Sequence, residues 1–252
     1  MGATCTVTGM VLSAQPVGEY DKRIVILTRE KGKISAFARG ARRPGNSQMA
    51  GSRPFSFGEF DLFEGRSSYT VEAMRIKNYF EELSADLEGA MYGCYFLEFA
   101  DYYARENVDG SEILKLLYQS FRALLKPALS NELVRRIFEL KLMTVNGEYP
   151  NVFSCMSCNA EDENFHYFDF EKNGFICGNC ISNFPFAIKI TEATAYTMQY
   201  IITATIEKLY TFTVKDEVLE ELGSIVDEEL RRFVDRKMNS LEILKGYISF
   251  IC

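Results

Sequence analysis

The 252 residues are 47 % hydrophobic and 25 % charged, enough apolar material for a substantial core and for two or three domains. No run of about 18 apolar residues exists to span a membrane, and no basic segment leads into an apolar one at the N-terminus as in a signal peptide, so the expected location is the cytoplasm. The net charge of −7 speaks against general polyanion binding, but residues 1–80 carry 12 Lys and Arg against 7 Asp and Glu while residues 81–252 carry 16 against 28, which points to a localised basic surface on an acidic chain.

The first eighty residues read as strands parted by turns. Thr4 to Leu12 is β-branched and apolar, and Val17 to Asp21 is a turn. Arg23–Thr28 is a second strand, Glu30-Lys31-Gly32-Lys33 a hairpin turn, and Ile34–Arg39 a third strand. Residues 40–53, rich in Gly, Ser, Asn and Arg, read as a mobile loop. Phe55–Phe63 is a fourth strand with Gly58 as a bulge, and Tyr69–Ile76 a fifth. Five short strands in this length predict a small barrel of the OB type.

In the third strand, alternation puts Ile34, Ala36 and Ala38 on one face, and Lys33, Ser35, Phe37 and Arg39 on the other, just before Arg42 and Arg43. Cations beside an aromatic ring suit single-stranded nucleic acid: phosphates meet Lys and Arg, and bases stack on the ring. Phe37 fits a core position equally well, whereas the arginine cluster favours DNA or RNA phosphate over a solvated loop.

From Ser84 onward the period is helical. Ser84 reads as the cap of a helix carrying Leu87, Met91, Cys94, Tyr95 and Tyr102, and Ser111 as the cap of one stopped by Pro127. Ser130 starts a third helix that Asn146-Gly147 ends. Later helices are expected from Thr191 to about Leu209 and from about Lys215 to Lys237, with a short last one capped by Ser240. Glu217, Glu220, Glu221, Asp227, Glu228 and Glu229 read as a solvated face. The expected class is α+β: a barrel domain at 1–80 and a helical domain at 81–252, with an insertion at about 151–186.

That insertion carries Cys155-x-x-Cys158 and Cys177-x-x-Cys180, 18 residues apart. Two such knuckles aim four thiolates at one ion, the tetrahedral shell of structural Zn²⁺. Phe165–Phe170 and Phe175-Ile176 read as strands joined by Glu171-Lys172-Asn173-Gly174, the form of a zinc ribbon. Two disulfides or a redox dithiol are rival readings, but a redox motif would occur once and lie near a βαβ unit. The remaining Cys5, Cys94 and Cys252 are scattered and odd in number, as in a reducing compartment. The one histidine, His166, is followed by Tyr167 and Phe168, so there is no His-x-Glu deaminase motif, and no P-loop motif occurs. No enzymatic activity is expected.

Gly18-Glu19-Tyr20-Asp21-Lys22-Arg23-Ile24, Leu27-Thr28-Arg29-Glu30-Lys31-Gly32-Lys33 and Ala38-Arg39-Gly40-Ala41-Arg42-Arg43 resemble the start of the RecO family of bacterial DNA-repair proteins, and Met238 to Leu244 looks like the family's closing motif. The resemblance implies a recombination mediator that binds single- and double-stranded DNA and anneals complementary strands. With RecR it would help RecA displace single-stranded-DNA-binding protein. DNA contacts carry over to Arg39, Arg42 and Arg43 by motif position, and to Lys33 and Arg53 by charge and location; zinc would be architectural. The resemblance also implies recognition of the acidic, apolar-ended tail of single-stranded-DNA-binding protein, which needs an apolar pocket rimmed by cations. Arg122, Lys126, Arg135, Arg136 and Lys141, near Phe121, Leu125 and Phe138, are the candidates, with Arg122 and Lys126 on one helix face. The alternative is a zinc-ribbon and OB-fold interaction subunit acting on RNA or in transcription.

Overall fold

The computed structural model describes residues 3–66, 68–161 and 165–251. The chain forms two compact units, Met1–Leu125 with Met238–Cys252, and Lys126–Lys237. Among the described residues no helix is long and apolar enough to cross a membrane.

In the first unit β1 (Thr4–Val17), β2 (Asp21–Thr28), β3 (Gly32–Ala38), β4 (Phe57–Glu64) and β5 (Tyr69–Asn78) close a barrel in the order β1-β2-β3-β5-β4. Only the β3–β5 pairing is parallel. This is the expected OB arrangement. β1 runs longer than its apolar stretch suggested because it serves both sides of the barrel, pairing with β4 over Thr4–Met10 and with β2 over Gly9–Val17. Such a strand has to bend, and its register slips between Val11 and Ser13. At Gly9 the strands pass so closely that a Cβ would lie 2.5 Å from the Leu27 carbonyl oxygen. The bulge expected at Gly58 is the register shift between Phe57 and Gly58. Val7, Val11, Ile24, Ile26, Ile34, Phe60, Leu62 and Val71 fill the barrel.

Residues 40–53 are not a free loop. They contain a helical turn, α1 (Gln48–Gly51), and hydrogen bonds tie them to the β1–β2 turn. After the barrel come α2 (Glu81–Ala85), α3 (Leu87–Tyr103) and α4 (Ser111–Leu124). Phe55 and Phe80 hold positive φ angles of 73° and 49°, uncommon for bulky side chains. Their rings each lie 5.2 Å from that of Phe121, packing that offsets the backbone cost.

Ser84, expected to cap the long helix, sits inside α2, and Asp86 caps α3 by accepting the Gly89 N–H at 2.7 Å. The buried face of α3 is Tyr92, Tyr95, Phe96, Phe99 and Tyr103, whereas Leu87 and Cys94 are exposed. Aromatic residues, with Leu97 and Ala100, carry its stripe.

The second unit is built on α5 (Asn131–Val145), with Ser130 and Asn146-Gly147 at its ends as expected. A small sheet follows in the order β7-β6-β8, from β6 (Tyr167–Asp169), β7 (Gly174–Ile176) and β8 (Ile188–Lys189). Then come α6 (Glu192–Thr203) and α7 (Asp216–Phe233). α6 stops at Thr203 rather than near Leu209, because Ala204 is extended. The Lys141 ammonium donates to the freed carbonyls of Ile202 (2.8 Å) and Ala204 (2.7 Å), as a basic side chain can at a helix end.

The acidic residues of α7 are not all a solvated face. Glu229 is fully buried, Asp227 pairs with Arg136 at 2.8 Å, and Glu221 accepts the Thr191 N–H at 2.9 Å. The last helix, α8 (Asn239–Ile251), belongs to the first unit and is longer than expected. It packs on α3, where the Glu98 carboxylate accepts the N–H groups of Ser240 (2.8 Å) and Asn239 (3.2 Å).

Candidate nucleic-acid interface and metal centre

On β3 the expected alternation holds: Ile34, Ala36 and Ala38 face the core, and Lys33, Ser35 and Phe37 face out. Phe37 is therefore an outer-face ring. Its register partner on β2 is Arg23, whose Nε donates to Ser35 Oγ at 2.7 Å, and on β5 it is Thr70. Lys33 is less free than its position suggested, since its Nζ donates to the Asp101 carbonyl at 2.6 Å and lies 3.3 Å from the Asp101 carboxylate.

The positive surface is centred on the β1–β2 turn and residues 40–53. Arg39, Arg42, Arg43 and Arg53 are exposed, and none of them joins an ion pair among the described residues. Lys22 Nζ donates to Ser52 Oγ at 3.0 Å. Partial burial and the positive charges of Arg53 and Arg42 push the Lys22 ammonium below its ordinary pKa. The Arg43 guanidinium lies 4.5 Å above the centre of the Tyr20 ring. By contrast, Arg75 and Lys77 on β5 are matched by Asp61 and Glu59 on β4. Hydrogen bonds from Arg75 and then Thr6 bring the Asp61 carboxyl down to about 2. Tyr20, Lys22 and Arg23 were missing from the sequence-based set. The signal was there in the Tyr20-Asp21-Lys22-Arg23 run, but only the fold brings it beside Arg42 and Arg53.

In the second unit the two knuckles meet. The Sγ atoms of Cys155, Cys158, Cys177 and Cys180 all lie within 4.8 Å of one another, and none is bridged. Cys158 Sγ and Cys177 Sγ are 3.7 Å apart. A tetrahedron with metal–sulfur bonds of about 2.3 Å has edges of about 3.8 Å, so the spacing fits a four-thiolate ion. Asn159, with a φ of 58°, turns the first knuckle, and its N–H donates to the Cys155 carbonyl at 2.9 Å. Burial raises the Cys155 thiol, but the backbone N–H groups of Cys177, Cys158 and Ser157 outweigh it and bring it down to about 6. In the same segment the Phe175 ring packs against those of Phe165 and Phe168, with centroids 5.1 and 6.1 Å away. The strand expected over Phe165–Phe170 is only Tyr167–Asp169, and residues 162–164 of the expected ribbon lie outside the described set. His166 is not part of the cluster; its carbonyl accepts the Ile190 N–H.

The ribbon hairpin is fastened to α7. With its nitrogen turned toward the carboxylate, the Asn173 amide donates to Glu229 Oε1 (2.6 Å) and Oε2 (3.0 Å), and Arg232 donates to the Phe170 carbonyl. Burial raises the Glu229 carboxyl to about 7, with Arg232 and Asn173 opposing. A carboxyl raised from 4.5 keeps its proton in the folded state while the unfolded chain has lost it. Stability therefore falls as pH rises from about 4.5 to about 7 and is level above that. Glu229→Gln is expected to remove this slope, worth up to roughly 3 kcal/mol. Urea unfolding of both proteins at pH 5 and pH 7.5 measures it; parallel profiles would mean that Glu229 is ionised throughout.

The cations expected to rim a partner-tail pocket are scattered. Arg135, Arg136 and Lys141 are buried and held by intramolecular partners, so they are not surface cations. α4 ends at Leu124, so Lys126 does not continue the face of Arg122; its Nζ donates to the Tyr210 carbonyl at 3.3 Å. Arg122 alone keeps a suitable setting, in a cavity of about 480 Å³ lined also by Lys77, Phe80, Tyr118, Leu125, Glu81 and Glu82.

A family model described as recombination protein O, N terminal, matches residues 1–80, and its C-terminal counterpart matches residues 84–242. The chain is 33 % identical over 238 residues to the DNA repair protein RecO of Acetivibrio thermocellus, covering 94 % of this chain and 95 % of that one. It is 34 % identical over 238 residues to that of Alkaliphilus metalliredigens, covering 94 % and 97 %. To that of Bacillus subtilis it is 29 % identical over 248 residues, covering 94 % and 96 %. With both halves matched and relatives aligned along nearly the whole length, the chain belongs to the RecO family of DNA repair proteins.

Proposed function

We propose that the protein is a cytoplasmic recombination mediator that acts by binding rather than by turnover. Its barrel domain, residues 1–80, takes single- and double-stranded DNA on the face of Arg39, Arg42, Arg43 and Arg53, with Phe37 and Lys33 at its margin. It anneals complementary strands and, with RecR, helps RecA onto DNA coated by single-stranded-DNA-binding protein. The observation that carries this reading is the group of exposed guanidinium ions without ion-pair partners among the described residues, on a barrel of a DNA repair family. The tail of single-stranded-DNA-binding protein is assigned to the aromatic cavity beside Arg122 and Lys77. The helical domain, residues 81–252, carries one structural Zn²⁺ on Cys155, Cys158, Cys177 and Cys180; four thiolates leave no open position for chemistry.

Annealing of complementary strands, bare or coated with single-stranded-DNA-binding protein, tests this. Arg42→Ala with Arg53→Ala is expected to slow both reactions. The salt dependence of binding should fall by about 0.7 per lost contact on single strands and about 0.9 on duplex. Arg122→Glu is expected to slow only the coated reaction. An unchanged salt slope in the double variant removes the basic face from the DNA site, and normal coated annealing by Arg122→Glu moves the tail elsewhere.

A further inference from the structure

We propose that Tyr20 is a stacking platform for an unpaired base, covered by Arg43 in the free protein, and that this ring lets the basic face distinguish single strands from duplex. The inference rests on the DNA-binding reading above and names the residue that would give it strand preference.

The setting of the ring comes first. β1 turns into β2 through Gly18, whose φ of 57° suits glycine, and a Cβ there would meet nothing within 4 Å. Tyr20 is thereby placed at the tip of the turn, 40 % exposed, with no part in the barrel core. A large aromatic ring in that position gains little from folding.

The turn is nonetheless fixed. The Arg42 N–H donates to the Tyr20 carbonyl at 2.8 Å, Arg42 Nη1 to the Gly18 carbonyl at 3.1 Å, and the Gly40 N–H to Asp21 Oδ1 at 2.7 Å. Lys22 reaches Ser52 in the same region. Residues 40–53 therefore hold Tyr20 in a set relation to the cations around it. Arg43 lies over the ring and Arg42 holds the Tyr20 carbonyl, Lys22 two positions on lies near Arg42 and Arg53, and of the neighbouring acids Asp21 is engaged with Gly40.

Phosphate-binding cations alone read single strands and duplex alike, since both present a phosphate backbone. Only an unpaired base offers a free π-face, and a ring flanked by cations is the arrangement that sequence-tolerant single-strand grooves use. The Arg43 guanidinium, planar and 4.5 Å above the ring, covers a face that a base would use. An arriving strand exchanges this exposed cation–π contact, about 2- to 5-fold in affinity, for base stacking of about 5- to 100-fold. The displaced guanidinium is left free for a neighbouring phosphate.

The chain contains no tryptophan, so Tyr20→Trp introduces its only indole. Its fluorescence is read while the full-length protein is titrated with a thymidine oligonucleotide of about a dozen residues, and with a duplex of equal phosphate number at the same salt. Quenching by the single strand and little by the duplex is the expected result. Tyr20→Ala should lose about 2- to 50-fold in single-strand affinity, the stacking gain less the cation–π contact given up, with duplex affinity and both salt slopes unchanged, and Tyr20→Phe should restore most of it. Equal losses on both substrates, or no loss on either, would overturn the proposal. Arg42→Ala with Arg53→Ala is measured beside them. If that variant weakens binding and Tyr20→Ala does not, only the stacking role fails; if neither weakens it, the DNA-binding face itself fails.

Discussion

Glu139→Ala is expected to destabilise Lys126–Lys237 by about 3–5 kcal/mol, the usual cost of removing one partner from a buried charge network. Glu139 is fully buried in α5; it accepts from Arg135 Nε at 2.8 Å and lies 3.2 Å from Arg136 Nη1. Glu132 meets Arg136 Nε at 2.7 Å, and Asp227 of α7 meets Arg136 Nη1 at 2.8 Å. Burial opposes the charge of both arginines, but Glu139 and the other carboxylates outweigh it and raise both pKa values. An alanine leaves two cations, both nearly buried, beside the partly exposed Glu132 and Asp227. The network also sets how α5 meets α7: a Cβ on Gly223 would stand 3.3 Å from the Arg136 guanidinium. Arg39→Ala, at an exposed position, is the control and should change stability by no more than about 0.5 kcal/mol. Urea unfolding followed by circular dichroism measures both. A loss below about 1 kcal/mol for Glu139→Ala would mean that water reaches the guanidinium ions and that the network adds little.

That network also shows where reading the sequence stops. A lysine, arginine or glutamate on a helix reads as solvent-facing because burying it alone is so costly. What makes Arg135, Arg136 and Glu139 tolerable inside is mutual pairing and Asp227, 91 positions away from Arg136. The same limit explains why Glu229 and Lys141 were assigned to the surface, and why residues 40–53 looked mobile. The partners that order that loop, Gly18, Tyr20 and Asp21, lie about twenty positions earlier. Features set by local periodicity were legible: the outward and inward faces of β3, the bulge at Gly58, and the ends of α5 at Ser130 and Asn146-Gly147. The four-cysteine cluster was legible because its spacing is itself the constraint. The face of α3 was misread for a different reason. Tyr95 is buried as expected, but Tyr92, Phe96, Leu97, Phe99, Ala100 and Tyr103 are buried with it, and so apolar a run does not mark one face by periodicity.

Cys177→Ser is expected to abolish stoichiometric metal and loosen the ribbon while leaving DNA affinity within about twofold. Cys177 is fully buried and follows β7 directly, so its thiolate is where the hairpin and the two knuckles are joined. Four thiolates whose sulfurs lie within 4.8 Å of one another repel unless a cation sits among them. A bound Zn²⁺ would supply that charge, and because the site does not preassemble in an unfolded chain, its binding energy would also be folding energy for this segment. Loss of one ligand should therefore appear first as faster proteolysis within residues 151–186, the segment the four cysteines join. The barrel has its own core of β-strand residues, so the DNA contacts proposed for it should persist. Elemental analysis of protein isolated without chelator is expected to give one zinc per chain for the wild type and close to none for the variant. A chelator added to the wild type should reproduce the same proteolysis pattern. Wild-type protein with four freely titrating thiols and no zinc would remove the metal from the account, and a large fall in DNA affinity in the variant would make the ribbon part of the DNA site rather than its support.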